Sequence, residues 1–210
     1  MLELRSMIDS VFSMPPAHGR IINWLGPEMA NRLFDFACVQ RDNFQATKVL
    51  KTEKRQLEID LTARRSLKIT DLGELNAEFR EHARAVLPQM CRQLGIEQFE
   101  PSDFYLELVA HGDGAFFAEH RDVYIESPRN SPPISAAYYF HRIPKSFSGG
   151  DLRIYSIAGS KKSKTFVEIE PINDTLVFFP SWFPHEVLPV NCPSGQFEDS
   201  RFSINCWIHS

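Results

Sequence analysis

A change of texture near residue 104 constrains the fold of this 210-residue chain more than any other feature. From Phe104 onward, short runs rich in β-branched and aromatic residues alternate with clusters of Gly, Pro, Ser and Asn. That is the pattern of strands punctuated by turns. The runs predict strands over 104–110, 115–121, 134–140, 151–155, 166–169, 175–179, 186–190 and 202–208. Many short strands of this kind form a sandwich or jelly roll, with helices over one outer face. Several of the runs carry large side chains at every position, as expected where one face meets helices and the other lines a pocket.

The preceding half reads as helical. Pro27 followed by Glu28 suits a helix start, because the missing proline N–H costs nothing there and the carboxylate meets the positive end of the dipole. Met29, Leu33, Phe34 and Ala37 then recur at helical spacing. A longer helix is expected over 74–94, with Leu75, Phe79, Val86, Leu87, Met90 and Leu94 as its apolar stripe. Pro88 is expected to kink it and Gly95 to end it. Residues 41–66 are charged and mixed, and fit either a strand or a mobile flap.

Composition narrows the function. A formal charge of -4 and a pI near 6.0 leave no electrostatic footprint for nucleic acid. The one dense basic cluster, Lys161-Lys162-Lys164, reads as a solvated loop. Cys38, Cys91, Cys192 and Cys206 are scattered without a CxxC, and no signal peptide is apparent, which points to reduced thiols in the cytoplasm. No run approaches the roughly 20 apolar residues of a membrane span. Any metal must therefore be held by histidine and carboxylate.

One constellation can do this. His120 and Asp122 stand two residues apart, and residues i and i+2 of a strand share a face. His185, far downstream, would complete two imidazoles and a carboxylate on one side of a metal, the arrangement of non-haem Fe(II) oxygenases. Taken alone, a His-x-Asp pattern arises often by chance and equally fits a surface strand with a solvated aspartate. Arg201 adds weight, because a guanidinium opening an apolar strand needs a partner, and its planar fork suits a carboxylate. Alternation puts Arg201, Ser203, Asn205 and Trp207 on one face and Phe202, Ile204, Cys206 and Ile208 on the other. The alternative for Arg201 is a structural salt bridge with Asp199 or Glu198.

Residues 104–208 resemble the catalytic domain of prolyl-4-hydroxylase-type Fe(II)/2-oxoglutarate dioxygenases, nearest to the hypoxia-sensing branch and its bacterial relatives. The likeness lies in Gly114-Ala115-Phe116-Phe117-Ala118-Glu119-His120-Arg121-Asp122, Ala137-Tyr138-Tyr139-Phe140, Ser148-Gly149-Gly150-Asp151-Leu152-Arg153-Ile154, Ile169-Glu170-Pro171, Leu176-Val177-Phe178-Phe179, Pro184-His185-Glu186-Val187 and Arg201-Phe202-Ser203. It implies an α+β fold, a double-stranded β-helix (jelly roll) over 101–210 with N-terminal supporting helices in 1–100, together one domain over 1–210. It implies His120, Asp122 and His185 as iron ligands, Arg201 and Tyr139 on the far carboxylate of 2-oxoglutarate, and Ser203 as a further hydroxyl there. Dioxygen as co-reactant and ascorbate as reductant follow from the same likeness.

The chain departs from the family pattern at two places. His111 stands where many relatives carry a tyrosine, and fits either the metal-binding end of the cosubstrate or the pocket rim. The segment between His185 and Arg201 is long, and its Pro189, Pro193 and Gly195 predict a loop beside the site. Asp122 itself argues for hydroxylation over halogenation, since halogenating relatives lack this carboxylate. His18, His82, His141 and His209 lack ligand-like spacing. The resemblance favours a prolyl residue of a protein or peptide as substrate, with a free amino acid or natural-product intermediate as the alternative and a non-catalytic sensing module as a third reading. Segments 41–66, 124–133 and 156–165 are the expected substrate-facing loops, and the oligomeric state is left open.

Overall fold

A computed structural model describes residues 15–51, 56–123, 131–157 and 165–210. The first half contains β1 (Gly19–Ile22), helix α1 (Gly26–Val39), β2 (Gln45–Ala46), β3 (Val49–Lys51), β4 (Gln56–Glu58), β5 (Arg64–Arg65), β6 (Leu67–Ile69) and helix α2 (Leu75–Leu94). Then follow β7 (Asp103–His111), β8 (Phe116–His120), β9 (Ile134–Phe140), β10 (Ser148–Gly149), β11 (Leu152–Tyr155) and β12 (Phe166–Ile169). The chain closes with β13 (Thr175–Pro180), β14 (His185–Val187), β15 (Val190–Asn191) and β16 (Arg201–His209).

Two antiparallel sheets make the jelly roll. The larger has the order β1-β13-β9-β16-β7-β6-β2, and the smaller β12-β11-β14-β8-β5. Strand β16 sits at the centre of the larger sheet, paired along its length with β7 on one side and β9 on the other. Its alternation is the expected one. Phe202, Ile204, Cys206 and Ile208 join one buried cluster with Leu33 of α1 and Phe79, Leu87 and Met90 of α2. Each such aliphatic or aromatic side chain contributes about 1.5–3 kcal/mol on burial. The opposite face of the larger sheet meets the smaller sheet through Tyr139, Val177 and Phe179 against Leu152, Ile154 and Ile169.

Both expected helices form. Helix α2 begins within a residue of the expected start and runs through Pro88 to Leu94. Gly95, at φ 66°, then closes it: Gly95 N–H donates to Arg92 O and Ile96 N–H to Cys91 O. This pair of bonds is the left-handed cap that glycine permits. Helix α1 has no side-chain cap of its own. Its first amides are received by Asp174, from Leu25 N–H at 2.9 Å and Gly26 N–H at 3.0 Å, across 149 and 148 residues of sequence.

Besides the two helices that pack under the larger sheet, the described part of residues 1–100 supplies six short strands, of which β1, β2 and β6 extend the larger sheet and β5 the smaller one. Edge strands of two to four residues leave too short a run for alternation to be read in sequence. Within 41–66 the described residues hold a 3-10 turn at Arg41–Asn43, β2, the paired β3 and β4, and β5, so short strands occur there as one of the two expectations had it. The segment between His185 and Arg201 is not a simple loop. Strand β15 pairs with β10, and Val190 exchanges backbone bonds with Gly114 and Ala115. The Lys161-Lys162-Lys164 cluster, residues 124–130 and the tip of the 156–165 hairpin lie outside the described residues. Among the described residues no helix is long and apolar enough to cross a membrane.

Candidate active site

His120 ends β8 and His185 opens β14, and the two are direct partners in the register. Their rings lie 4.2 Å apart between centroids. A register shift follows, because two steps on β14, His185 to Val187, span three on β8, His120 to Phe117. Such a bulge re-aims side chains. It accounts for Phe117 and His120, three residues apart, lining one cavity.

Asp122 reaches the same point by a different route from the one expected. Strand β8 stops at His120, so strand alternation does not place the carboxylate. A bend does, pinned by Asp122 N–H donating to Ser181 O at 3.1 Å. Oδ1 then lies 3.5 Å from His120 Nε2 and Oδ2 3.4 Å from His185 Nε2. One donor atom from each of the three falls within 4.8 Å of the others.

The surroundings settle which nitrogens are available. His120 Nδ1 sits 2.9 Å from Ala118 O and His185 Nδ1 3.0 Å from Phe183 O. A carbonyl only accepts, so both Nδ1 atoms carry a proton, and both Nε2 atoms, which face Asp122, are the ones left for a metal. The Ser135 hydroxyl donates to Asp122 Oδ2 at 2.7 Å and also meets Ser181 Oγ at 2.8 Å. Such supporting bonds fix the orientation of metal-binding groups. Burial alone would raise the Asp122 carboxyl, but His185 and His120 outweigh it and hold Asp122 well below the usual carboxylate range. His120 is lowered by burial and by His185. His185 is raised despite its burial, because Asp122 faces it.

A second group lies on the inner face of the larger sheet. The register sets Arg201 opposite His111 on β7 and Ser203 opposite Tyr139 on β9. Arg201 is 2% exposed, with its guanidinium carbon 4.7 Å from the centre of the Tyr139 ring. Gly150, at φ 71°, makes room for it: a Cβ there would stand 2.7 Å from Arg201 Cδ and 2.8 Å from Val190 Cγ2. The Arg201 Nη1 donates to His111 Nδ1 at 3.4 Å. Burial, then Arg201 and Arg64, push His111 well below its ordinary value, so its ring is neutral and Nε2 carries the proton. His111 is buried against Arg201 and not at a rim. Ser203 is buried beside this group and lines the same cavity. The salt bridge considered for Arg201 is absent among the described residues. Asp199 pairs instead with Arg142 at 2.9 Å.

This architecture fits both iron and 2-oxoglutarate. Two neutral imidazole nitrogens and one carboxylate on one side are the donor set of a non-haem Fe(II) site. Beside it, Arg201 Nε, Tyr139 Oη and His111 Nε2 are buried without hydrogen-bond partners. All three can donate, so an acceptor of the carboxylate kind satisfies them together. Sequence reasoning missed Ser135, Ser181 and Arg64, all close to this site. Serines are common in strands and turns, and Arg64 sits in a two-residue strand within a segment of mixed charge. No local signal marks any of them.

The sequence profile of the 2OG-Fe(II) oxygenase superfamily matches residues 106–209. An uncharacterized PKHD-type hydroxylase of Synechocystis sp. is 33% identical over 210 residues, covering 98% of this chain and 67% of its own length. A prolyl-4-hydroxylase of Pseudomonas putida superposes with a TM-score of 0.67 at 18% identity, over 98% of each chain. A Trichoplax adhaerens prolyl hydroxylase, solved with a hypoxia inducible factor oxygen degradation domain peptide fragment, gives 0.63 at 17% identity over 99% of this chain and 89% of that one. A non-heme alpha ketoglutarate dependent epimerase of nogalamycin biosynthesis gives 0.60 at 8% identity, over 97% and 82%. These three likenesses are of fold. With a third of its residues shared along nearly its whole length with a PKHD-type hydroxylase, and a profile match spanning both histidines and the arginine, the chain belongs to the 2OG-Fe(II) oxygenase superfamily and is a dioxygenase working with Fe(II), 2-oxoglutarate and O2.

Proposed function

We propose that this dioxygenase hydroxylates an unactivated C–H, most readily of a prolyl residue in a protein or peptide, with release of succinate and CO2. In this reading His120, Asp122 and His185 hold Fe(II), and Arg201 and Tyr139 bind the far carboxylate of 2-oxoglutarate with Ser203 beside them. His111 donates from Nε2 within the same cavity. The observation that carries the assignment is the set of three buried, unpartnered donors, on Arg201, Tyr139 and His111, next to the two-histidine, one-carboxylate cluster. The prolyl preference is supported by the prolyl hydroxylases among the solved structures of the same fold.

When bound, iron with 2-oxoglutarate and dioxygen supplies the oxidising power for C–H hydroxylation. The chain's own residues position, hold and shield. The two Nδ1–H bonds to Ala118 O and Phe183 O hold the rings in place with Nε2 aimed inward. Ser135 steadies Asp122 through Oδ2, leaving Oδ1 unencumbered on the His120 side. Arg201 and Tyr139 offer donors in a site that water cannot reach freely, where charge-assisted bonds are strongest. Phe117, Leu152 and Trp207 line the same cavity and give it apolar walls beside its polar groups.

Incubation with Fe(II), 2-oxoglutarate and a library of proline-containing peptides tests this directly. Succinate formation tied to peptides that gain one oxygen atom at proline is the expected result. Fe(II)-dependent 2-oxoglutarate consumption coupled only to oxygenated small molecules would move the assignment to a free amino acid or natural-product intermediate.

A further inference from the structure

We infer that Arg64 is a substrate-recognition residue, and that the group it receives is a carboxylate carried by the substrate. This rests on the dioxygenase reading above and adds the chemical class of what enters the site.

Arg64 lies on β5, the edge strand of the smaller sheet, opposite Phe117 in the register with β8. Its side chain is 7% exposed and lines the cavity that holds His120 and Asp122. The guanidinium carbon stands 4.5 Å from the centre of the Phe117 ring, and that ring stacks on His120 at 3.5 Å between centroids. Arg64 Nε donates to Ser66 Oγ at 3.1 Å, which fixes the direction of the fork. The fork is held only by a long ion pair with Glu107. Nη2 is buried with no hydrogen-bond partner, and the Glu107 Oε2 beside it stands 3.7 Å away. Glu107 has another cation, because the Lys68 ammonium bonds its Oε1.

Charge balance then selects the ligand. Glu107 faces both Lys68 and Arg64, so one carboxylate meets two cations and one positive charge is left over in this group. Among the groups that line the cavity on its other side, a bound iron dication and Arg201 would cancel Asp122 and the 2-oxoglutarate dianion, Asp151 standing outside the lining. The loaded site therefore lacks one negative charge. Burial of an unpaired guanidinium is costly. A planar carboxylate matches both its fork and its charge, whereas a phosphate dianion would overshoot. The carboxylate has two sources: the α-carboxylate of a free amino acid or peptide C-terminus, or an Asp or Glu side chain beside the target residue.

Matched acid and amide probes separate these. One panel is the L-amino acids and X-Pro dipeptides, each as free acid and as carboxamide. The other is N-acetylated, C-amidated proline peptides with Asp or Glu beside the proline, against the same peptides with Asn or Gln. Binding to protein loaded with Fe(II) and 2-oxoglutarate is read without oxygen from the absorbance of the iron–2-oxoglutarate complex, and oxygenated product is read in air. At least one acid should bind about tenfold or more tighter than its neutral partner, the size of one charge-assisted hydrogen bond. Whichever panel yields it names the source. In Arg64→Gln the preference should shrink to less than about threefold, while 2-oxoglutarate affinity shifts far less. Glu107 keeps Lys68 in that variant. Should it fail to fold, Arg64→Lys decides, and must weaken the acid without weakening the amide. Equal binding of acids and amides in both panels overturns the proposal, as does binding by no acid or a preference that survives in Arg64→Gln. Loss of Fe(II)-dependent 2-oxoglutarate binding in the unmutated protein would instead defeat the assigned metal and cosubstrate site, before Arg64 is reached.

Discussion

Arg201 carries a full charge into a buried space where, among the described residues, no carboxylate comes within ion-pairing distance of it. Isolated buried charge opposes folding, so the residue trades stability for binding. Arg201→Met should therefore raise the melting temperature measured without 2-oxoglutarate, by the equivalent of about 1–3 kcal/mol, while the 2-oxoglutarate requirement rises steeply. An unchanged KM for 2-oxoglutarate would remove Arg201 from the cosubstrate site. Tyr139→Phe keeps the ring under the guanidinium and deletes only the hydroxyl, with an expected loss of about tenfold in 2-oxoglutarate affinity. His185→Ala and Asp122→Ala should each abolish succinate formation, since either leaves two donors where three are needed. Succinate release at an undiminished rate from either variant would exclude that residue as a ligand.

Elements set these side chains by register and by turns. The pairing of β16 with both β7 and β9 brings Arg201, His111, Ser203 and Tyr139 onto one face from three separate parts of the chain. Gly150 fixes how closely the turn before β11 approaches Arg201. Gly150→Ala would force the methyl group into Arg201 Cδ in a backbone region that favours glycine. The 2-oxoglutarate KM should rise in that variant even though Arg201 is intact. Asp174 acts on a different element. It receives the amides of Leu25 and Gly26 at the start of α1 and the hydroxyl of Tyr138 at 3.0 Å. Asp174→Ala leaves three donors unsatisfied and should lower unfolding free energy by about 1–3 kcal/mol or more in denaturant titration. A change of under half that would show that solvent replaces the aspartate.

Across the whole molecule, the two sheets bring separate halves of one site together. His120, Asp122 and His185 belong to the smaller sheet and the bend beside it, whereas Arg201, Tyr139 and His111 belong to the larger. On the proposed assignment, iron and 2-oxoglutarate bound together would tie the sheets to each other. At a hundredfold excess over Kd, binding to the folded state alone stabilises by about 2.7 kcal/mol, which should appear as a rise in melting temperature. A chelator or Asp122→Ala should remove that rise. Much of this was legible in sequence. The eight downstream runs and the two helices announced themselves, because alternation and helical period are local signals, and Arg201 stood out as a charge opening an apolar strand. His120, Asp122 and His185 are instead singled out by a strand spacing that fails at Asp122 and by the family resemblance. Tertiary structure alone decided the rest. Short edge strands from the first hundred residues, the bend that carries Asp122 inward, Ser135 behind that carboxylate and Arg64 across from Phe117 all depend on partners distant in sequence. A residue's local pattern reports which face it occupies, whereas what it meets there is a property of the packed sheets.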